Sequence, residues 1–469
     1  MDTYLTTMQV AALSIAGMCH ALLGSIKVPL ARQLQIDESR VGGLASVFGF
    51  TLIPMAFAAG IFADSLGRDV VIAGGCVLLI LSVIVLAHLR SYGMAVLSVL
   101  LLGTGWSALV NVLNATQGPS FLQEAEVTRQ LAEGLEPRDI LPFAMNMGDF
   151  VFGLGAFVMP MAATMALRHV GLKKTFLVFG ALIAIPLVLS LYVDVDGFVE
   201  KFGKIMESSQ AATEAPATVA AELGFADLLG DKFVMLCCLA FFFHVPVEAC
   251  VAIWATTMMM DRGIRERNAN VLLSLFWLTF TVSRLIAALA IPAGTDHSVV
   301  IGLAAAVVLV VLGLVISRKK YQTSILVITA GLILGPIFPI LIAFLVGHVH
   351  VSMQGRAIGL FFCIGGIGWA VVPFLVGKLA DKNSVKTEFK VGETESGSAV
   401  QDQGLDLHAE TEPADIEDSG EETGEKSGTG AIDGGDQTRD RTSLQWAFLV
   451  VAGCAMGLLA ICTALSMLK

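Results

Sequence analysis

The sequence is short of charge. Asp, Glu, Lys and Arg make up 15% of its 469 residues, against about 25% in an ordinary soluble domain. With 55% hydrophobic residues and a mean hydropathy of +0.78, that deficit excludes a conventional water-soluble globule. A disulfide framework is also missing. Cys19, Cys76, Cys237, Cys238, Cys250, Cys363, Cys454 and Cys462 all fall inside apolar runs, at spacings that suit neither bridges nor a zinc site. They read as small packing residues. No basic stretch precedes the first apolar run, so a permanent first span is expected rather than a cleaved leader. No phosphate-cradling loop, metal-ligand cluster or nucleophile–base pair stands outside the apolar segments. The chain is therefore not expected to be an enzyme, to hold a cofactor or metal, or to bind nucleic acid. A monomer in a lipid bilayer is the expected state.

Long apolar runs are abundant. Spans are expected at about 8–30, 41–62, 70–89, 94–114, 140–167 and 175–193, then at 233–257, 269–291, 299–316, 324–346, 358–380 and 444–468. Segments this long and apolar satisfy their backbone in lipid only as helices. The predicted fold is an all-α integral membrane protein of about twelve helices in two six-helix halves. Residues 1–193 form the first half, 194–231 a polar linker, and 232–469 the second half. The linker carries a short amphipathic piece around Phe198, Phe202, Ile205 and Met206. Residues 382–443 read as a disordered insertion, rich in Gly, Glu, Asp and Thr. Between 388 and 440 lie 16 acidic and 3 basic residues, a balance of −13 against −11 for the whole chain, so the remainder carries +2.

One polar stretch interrupts the apolar pattern early: Ala59-Gly-Ile-Phe-Ala-Asp-Ser-Leu-Gly-Arg68. Gly60 permits close approach of another helix, Asp64 follows one turn later, Gly67 permits a tight reversal, and Arg68 supplies a fixed charge. Gly60, Asp64, Gly67 and Arg68 resemble the G-x-x-x-D-x-x-G-R signature between the second and third helices of the major facilitator superfamily. Further pieces resemble its fucose:proton symporter family. His244-Val-Pro-Val-Glu248 is similar to Y-V-G-x-E, with His244 and Pro246 in place of the tyrosine and glycine. Phe276-Trp277 with Arg284, Phe338-Pro339-Ile340, the Gly365 to Asp381 pattern, and Gly103-Thr-Gly-Trp106 with Asn114 follow in the family's order. The resemblance implies alternating access with solute bound near mid-membrane between the halves. Departures from the family are Ala21 and Val110 where acids are common, Val99 where the superfamily has arginine, and Asp69 after Arg68.

Ionisable groups in mid-membrane are functional candidates by default. Glu248 and His244, one turn apart, are the proton-coupling candidates. His20, Lys27, Asn111, Asn114, Gln117, Trp254 and Trp277 are the substrate-pathway candidates, with Trp106 and Trp369 as further stacking surfaces. Asn111, Asn114 and Gln117 suit sugar hydroxyls and interhelical hydrogen bonds equally. The gating set is Gly60, Asp64, Gly67, Arg68, Asp149 and Arg284, with Asp149 expected to pair with Arg68 or Arg129. The signature places the N-terminus in the cytoplasm, with the cell (inner) membrane as the expected location. The Lys/Arg loop count points the other way, through Arg168, Lys173, Lys174, Arg262, Arg265, Arg267, Arg318, Lys319 and Lys320 on the opposite face. The leading expectation is a secondary transporter of a small polar, sugar-like solute, with protons as the candidate coupling ion. Two alternatives stand beside it. One is an organic-anion or drug transporter, its anion site at Lys27 and His20. The other is a non-transporting membrane sensor or scaffold.

Overall fold

A computed structural model describes residues 3–36, 38–210, 225–391 and 437–468. Those residues are nearly all helical, and twelve helical segments are long and apolar enough to cross a membrane. The first half comprises α1 (Thr3–Leu34), α2 (Glu38–Leu66), α3 (Arg68–Ala87), α4 (Tyr92–Phe121), a short α5 (Glu124–Ala132) and α6 (Pro137–Ser190). Helix α6 carries two spans, divided where Gly171 adopts a φ of 75° that other residues rarely take. The linker supplies α7 (Val195–Gln210) and α8 (Phe225–Gly230). The second half comprises α9 (Lys232–Asp261), α10 (Glu266–Ala290), α11 (Asp296–Ile316), α12 (Lys320–Leu334), α13 (Ile337–His348), α14 (Gln354–Val391) and α15 (Gln437–Met467). Helices α12 and α13 form one span, broken at Gly335-Pro336. Pro336 lacks the N–H that would continue the helical ladder.

An even number of spans puts both ends of the chain on one side, here called the terminal face. The expected insertion at 382–443 is shorter in the fold, since α14 runs to Val391 and α15 starts at Gln437. Its remainder lies outside the described residues.

Buried apolar side chains form two clusters, one drawn from the first set of six spans and one that gathers the second set together with parts of α4, α5 and α6. The linker helix α7 enters both. Val195 and Val199 join the first cluster, while Phe202 and Met206 join the second. It lies across the seam on the terminal face, where Lys201 pairs with Glu124 of α5 at 2.6 Å and Glu207 pairs with His350 at 2.9 Å.

Small residues set the closest helix crossings. A Cβ on Gly17 would lie 1.9 Å from the Phe152 carbonyl oxygen of α6, so α1 and α6 touch backbone to backbone. Gly24, one heptad on, faces open space instead. A Cβ on Gly60 would lie 2.1 Å from the Gly355 carbonyl oxygen, where α2 crosses α14. Backbone cannot yield there as a side-chain end can. Gly60→Leu should therefore force the two halves apart on the terminal face, at a cost of about 1–3 kcal/mol or more. Thermal unfolding of the purified protein should show a lower midpoint. An unchanged midpoint would mean that the crossing is not close in the folded chain.

Arg262 bears on the basic residues of the face opposite. Its guanidinium donates to the carbonyls of Met258, Leu314 and Ser317 at 2.8, 3.0 and 3.0 Å, closing the C-terminal ends of α9 and α11. Part of that face's positive charge thus answers unsatisfied helix carbonyls.

Candidate functional site

The site is a seam between the halves, and it is best built from the terminal face inward. Asp64, on the last turn of α2, accepts from the backbone N–H groups of Gly355 and Arg356, both at 2.9 Å, and from Arg356 Nε at 3.1 Å. One carboxylate thus caps the start of α14, where unpaired N–H groups and the helix dipole favour negative charge. Gly67, with φ 96°, turns the chain into α3. Arg68 then reaches Asp196 of α7 at 3.2 Å and donates to the Val351 carbonyl oxygen at 2.7 Å. Asp69 accepts from Val195 N–H at 3.0 Å, which fixes the start of α7. Asn111 lies just inside this layer. Its Nδ2 bridges the carbonyls of Ala56 on α2 and Gly355 on α14, at 3.3 and 3.2 Å.

Further in, the expected partners of Asp149 are replaced. Arg68 is held by Asp196, and Arg129 lies between Glu126 and Glu133 of its own helix. Asp149 instead faces Arg284 of α10, with Oδ2 and Nη2 4.0 Å apart. Arg284 also donates to the backbone carbonyls of Asp149 (3.2 Å) and Gly335 (3.1 Å) and stands over the Phe280 ring at 4.5 Å. Both side chains are buried. The tie joins the two halves because α6 and α10 cross here, with a Cβ on Gly153 only 2.7 Å from Thr281.

Gln117 packs against Gly148 beside this pair. In one orientation its amide nitrogen reaches Asn114 Oδ1 at 3.4 Å. In the other it donates to the carbonyls of Ala144 and Met145 at 3.2 and 3.1 Å. Asn114 donates to Val110 of its own helix. The three amides expected along the pathway therefore serve largely as hydrogen bonds within and between helices.

Glu248 and His244 meet at 3.5 Å on one face of α9. His244 is fully buried, whereas the Glu248 side chain is 26% exposed. Across the seam, His20 of α1 is exposed although it is surrounded by the rings of Trp106 (5.5 Å), Phe152 (5.9 Å) and Phe48 (6.5 Å). An exposed side chain ringed by protein lines an internal cleft. His20 stands within electrostatic reach of Glu248 and Arg284. Trp106 itself is fixed, its Nε1 donating to the Ala16 carbonyl at 2.9 Å. Trp369 covers Gly49, and Trp277 meets Phe276 and Phe280 edge-on. Trp254 Nε1 is buried without a hydrogen-bond partner. The Lys27 side chain lies outside the described residues.

Several residues of the seam escaped the sequence reading: Asp196, Val351, Gly355, Phe48, Phe152 and the stack of Phe241 on Phe361 at 4.2 Å. One signal was present. Gly355-Arg356 repeats the Gly67-Arg68 dipeptide at the head of another span.

A titratable lock on the terminal face involves a carboxylate outside the spans. Asp231 caps α9 through the N–H groups of Phe233 and Val234 and pairs with His348 at 2.9 Å. Burial alone would raise its carboxyl, but the hydrogen bonds from His348 and these N–H groups outweigh it and hold the group below its ordinary value. A folded-state value below the unfolded one gives stability that is present above about pH 3.9 and is lost as pH falls through the folded value. His348→Ala should weaken that depression. Its thermal midpoint should fall less between pH 5 and 3 than that of the unaltered chain, and an equal or steeper fall would exclude the pair as the cause.

Comparison with known proteins places this architecture. A sequence profile of the Major Facilitator Superfamily matches residues 10–373. No curated protein sequence matches. Among solved structures, the human organic anion transporter MFSD10 (TETRAN) superposes with a TM-score of 0.62 at 13% identity, covering 97% of this chain and 100% of that one. The E. coli fucose:proton symporter FucP (N162A) gives 0.61 at 13% identity, with 99% of each chain covered. The proton:xylose symporter XylE gives 0.64 at 13% identity, covering 82% of this chain and 90% of that one. Likeness at this identity speaks for the fold, and the profile spans well over half the chain: this protein belongs to the Major Facilitator Superfamily.

Proposed function

We propose that the chain is a secondary transporter that moves a small polar, sugar-like solute by alternating access, with protons as coupling ion and its N-terminus in the cytoplasm of a cell's inner membrane. The observation that carries this reading is the arrangement of charge in the seam. The Arg284 guanidinium already faces Asp149, so among the described side chains the carboxylate left at the cleft is that of Glu248, beside His244. A residual negative charge disfavours an anion and suits a proton carrier. The aromatic wall of Trp106, Phe48 and Phe152 offers rings against which a sugar face can pack.

The second reading is organic-anion transport, which the likeness to MFSD10 supports. On that reading Lys27 and His20 form the anion site. A non-transporting sensor is a third. Uptake of a solute panel into vesicles containing the reconstituted protein separates them. Sugar import with protons predicts that solute addition alkalinises a lightly buffered medium, and that Glu248→Gln reduces this at least tenfold. Unchanged proton-linked uptake in that variant would end the coupling role. Anion transport predicts that Lys27→Ala loses solute binding while Glu248→Gln keeps it. A sensor predicts no flux, and loss of signalling when residues 388–440 are deleted.

A further inference from the structure

The cleft carries an ionisable group on each wall. His20 of α1 belongs to the first half and Glu248 of α9 to the second, and the two stand within electrostatic reach of each other. His20 is exposed inside a box of rings, all of them from the first half: Trp106 of α4 at 5.5 Å, Phe152 of α6 at 5.9 Å and Phe48 of α2 at 6.5 Å. The box is fixed to the helix that carries His20. Trp106 Nε1 donates to the Ala16 carbonyl, one turn before His20, and Gly17 lies against the Phe152 carbonyl oxygen. Aromatic rings attract a cation placed within about 6 Å of them, and Trp106 and Phe152 lie inside that range.

The charged groups around this pair divide by half. His244, fully buried and 3.5 Å from Glu248, sits on the same helix as Glu248. Arg284 is within reach of His20 but rides on α10, also in the second half, and faces Asp149 of the first. A ligand shifts an equilibrium between two arrangements only through a different affinity for each, and that holds for a proton. When one half moves against the other, His244 and Arg284 travel with Glu248. Asp149 travels with His20 and is already engaged by Arg284. The free imidazole of His20 is thus the group whose distance to Glu248 changes as the cleft opens and closes.

We propose that His20 and Glu248 form a proton-binding pair across the cleft, one that holds its proton more tightly as the cleft closes. The pair rests on the alternating-access reading. In the open cleft Glu248 is ionised and His20 neutral. As the walls approach, the imidazole takes a proton from the water of the cleft and faces the carboxylate as an imidazolium. An opposite charge within about 4–6 Å favours a charged form by roughly 1–3 pH units. One bound proton therefore favours closure, and a solute enclosed between the walls closes with it.

The test uses the purified full-length protein with Trp254, Trp277, Trp369 and Trp446 replaced by Phe, so that Trp106 reports the charge on His20 through quenching by the imidazolium. Its fluorescence should show an acid-side step that disappears in His20→Gln and moves to lower pH by about one unit in Glu248→Gln. Nitrogen-15 NMR of labelled histidine in the otherwise unaltered chain reads the same midpoint, should the tryptophan replacements lower thermal stability. Spin labels at the exposed positions Lys173 and Arg265, one in each half on the face opposite the terminal one, report closure. Lowering the pH through the step should enlarge the short-distance population by up to about tenfold, the effect of one unit of differential affinity. Glu248→Gln and His20→Gln should each abolish that response. A step that survives His20→Gln, a midpoint that Glu248→Gln leaves in place, or an acid response of the distance in either variant would overturn the proposal. None of these measurements needs a solute or flux, so a solute panel without transport leaves their outcome as it is.

Discussion

Arg284→Met should sharply destabilise the protein, and adding Asp149→Asn to it should restore most of what is lost. Arg284 is 7% exposed and faces Asp149, 6% exposed, across the seam. Truncating one partner of a buried pair leaves the other charge uncompensated, at a cost of about 3–5 kcal/mol. Replacing both by uncharged groups of similar shape is far milder. The guanidinium also donates to the Asp149 and Gly335 carbonyls, so the double variant should not recover fully. Thermal midpoints of the four proteins form the cycle. Strictly additive losses would show that the two side chains do not interact. On the proposed alternating-access reading, transport should fail in either single variant, because the tie joins helices of opposite halves.

The second large effect is at Asp64. Asp64→Ala should shift the protein toward an arrangement open on the terminal face. The carboxylate accepts three hydrogen bonds from the start of α14, and its side chain is fully buried. Hydrogen bonds to a charged group contribute about 1.5–3 kcal/mol. Losing that contribution changes a two-state equilibrium by roughly ten- to a hundredfold. Spin labels at the exposed positions Thr128 and Ala293, one in each half, report the separation. A longer-distance population should appear in Asp64→Ala and be smaller in Asp64→Asn, which keeps one acceptor oxygen. An unchanged distance distribution would assign the capping contact no part in holding this face closed.

These two residues mark where sequence reasoning reached and where it stopped. That Asp64 stands beside an interhelical turn followed from Gly60, Gly67 and Arg68 around it. Its partners did not, because Gly355 and Arg356 lie 291 and 292 residues away. The pairing of His244 with Glu248 was legible, since a four-residue interval puts two side chains on one helical face. Asp149 and Arg284 were both singled out, but not as each other's partner. Helical periodicity tells which face of a helix a residue occupies and is silent on which helix stands opposite. Asn111 shows the same limit. An amide in a span can face a solute or a neighbouring helix, and only the crossing of α2 and α14 at Gly60 and Gly355 turned it to the carbonyls of Ala56 and Gly355.

The sequence by itself determined the twelve spans, the two sets of six and the polar stretches between them. In lipid the apolar length of a segment and the demand that every backbone group be paired leave no other structure. Tertiary structure decided which charges meet: Asp149 with Arg284, Arg68 with Asp196, Asp64 with the head of α14. It also decided that α7 lies across both halves. Contacts of this kind depend on how two packed halves dock, which is set by the fit of whole helix surfaces and the few glycines that let them touch, and no local stretch of chain carries that information.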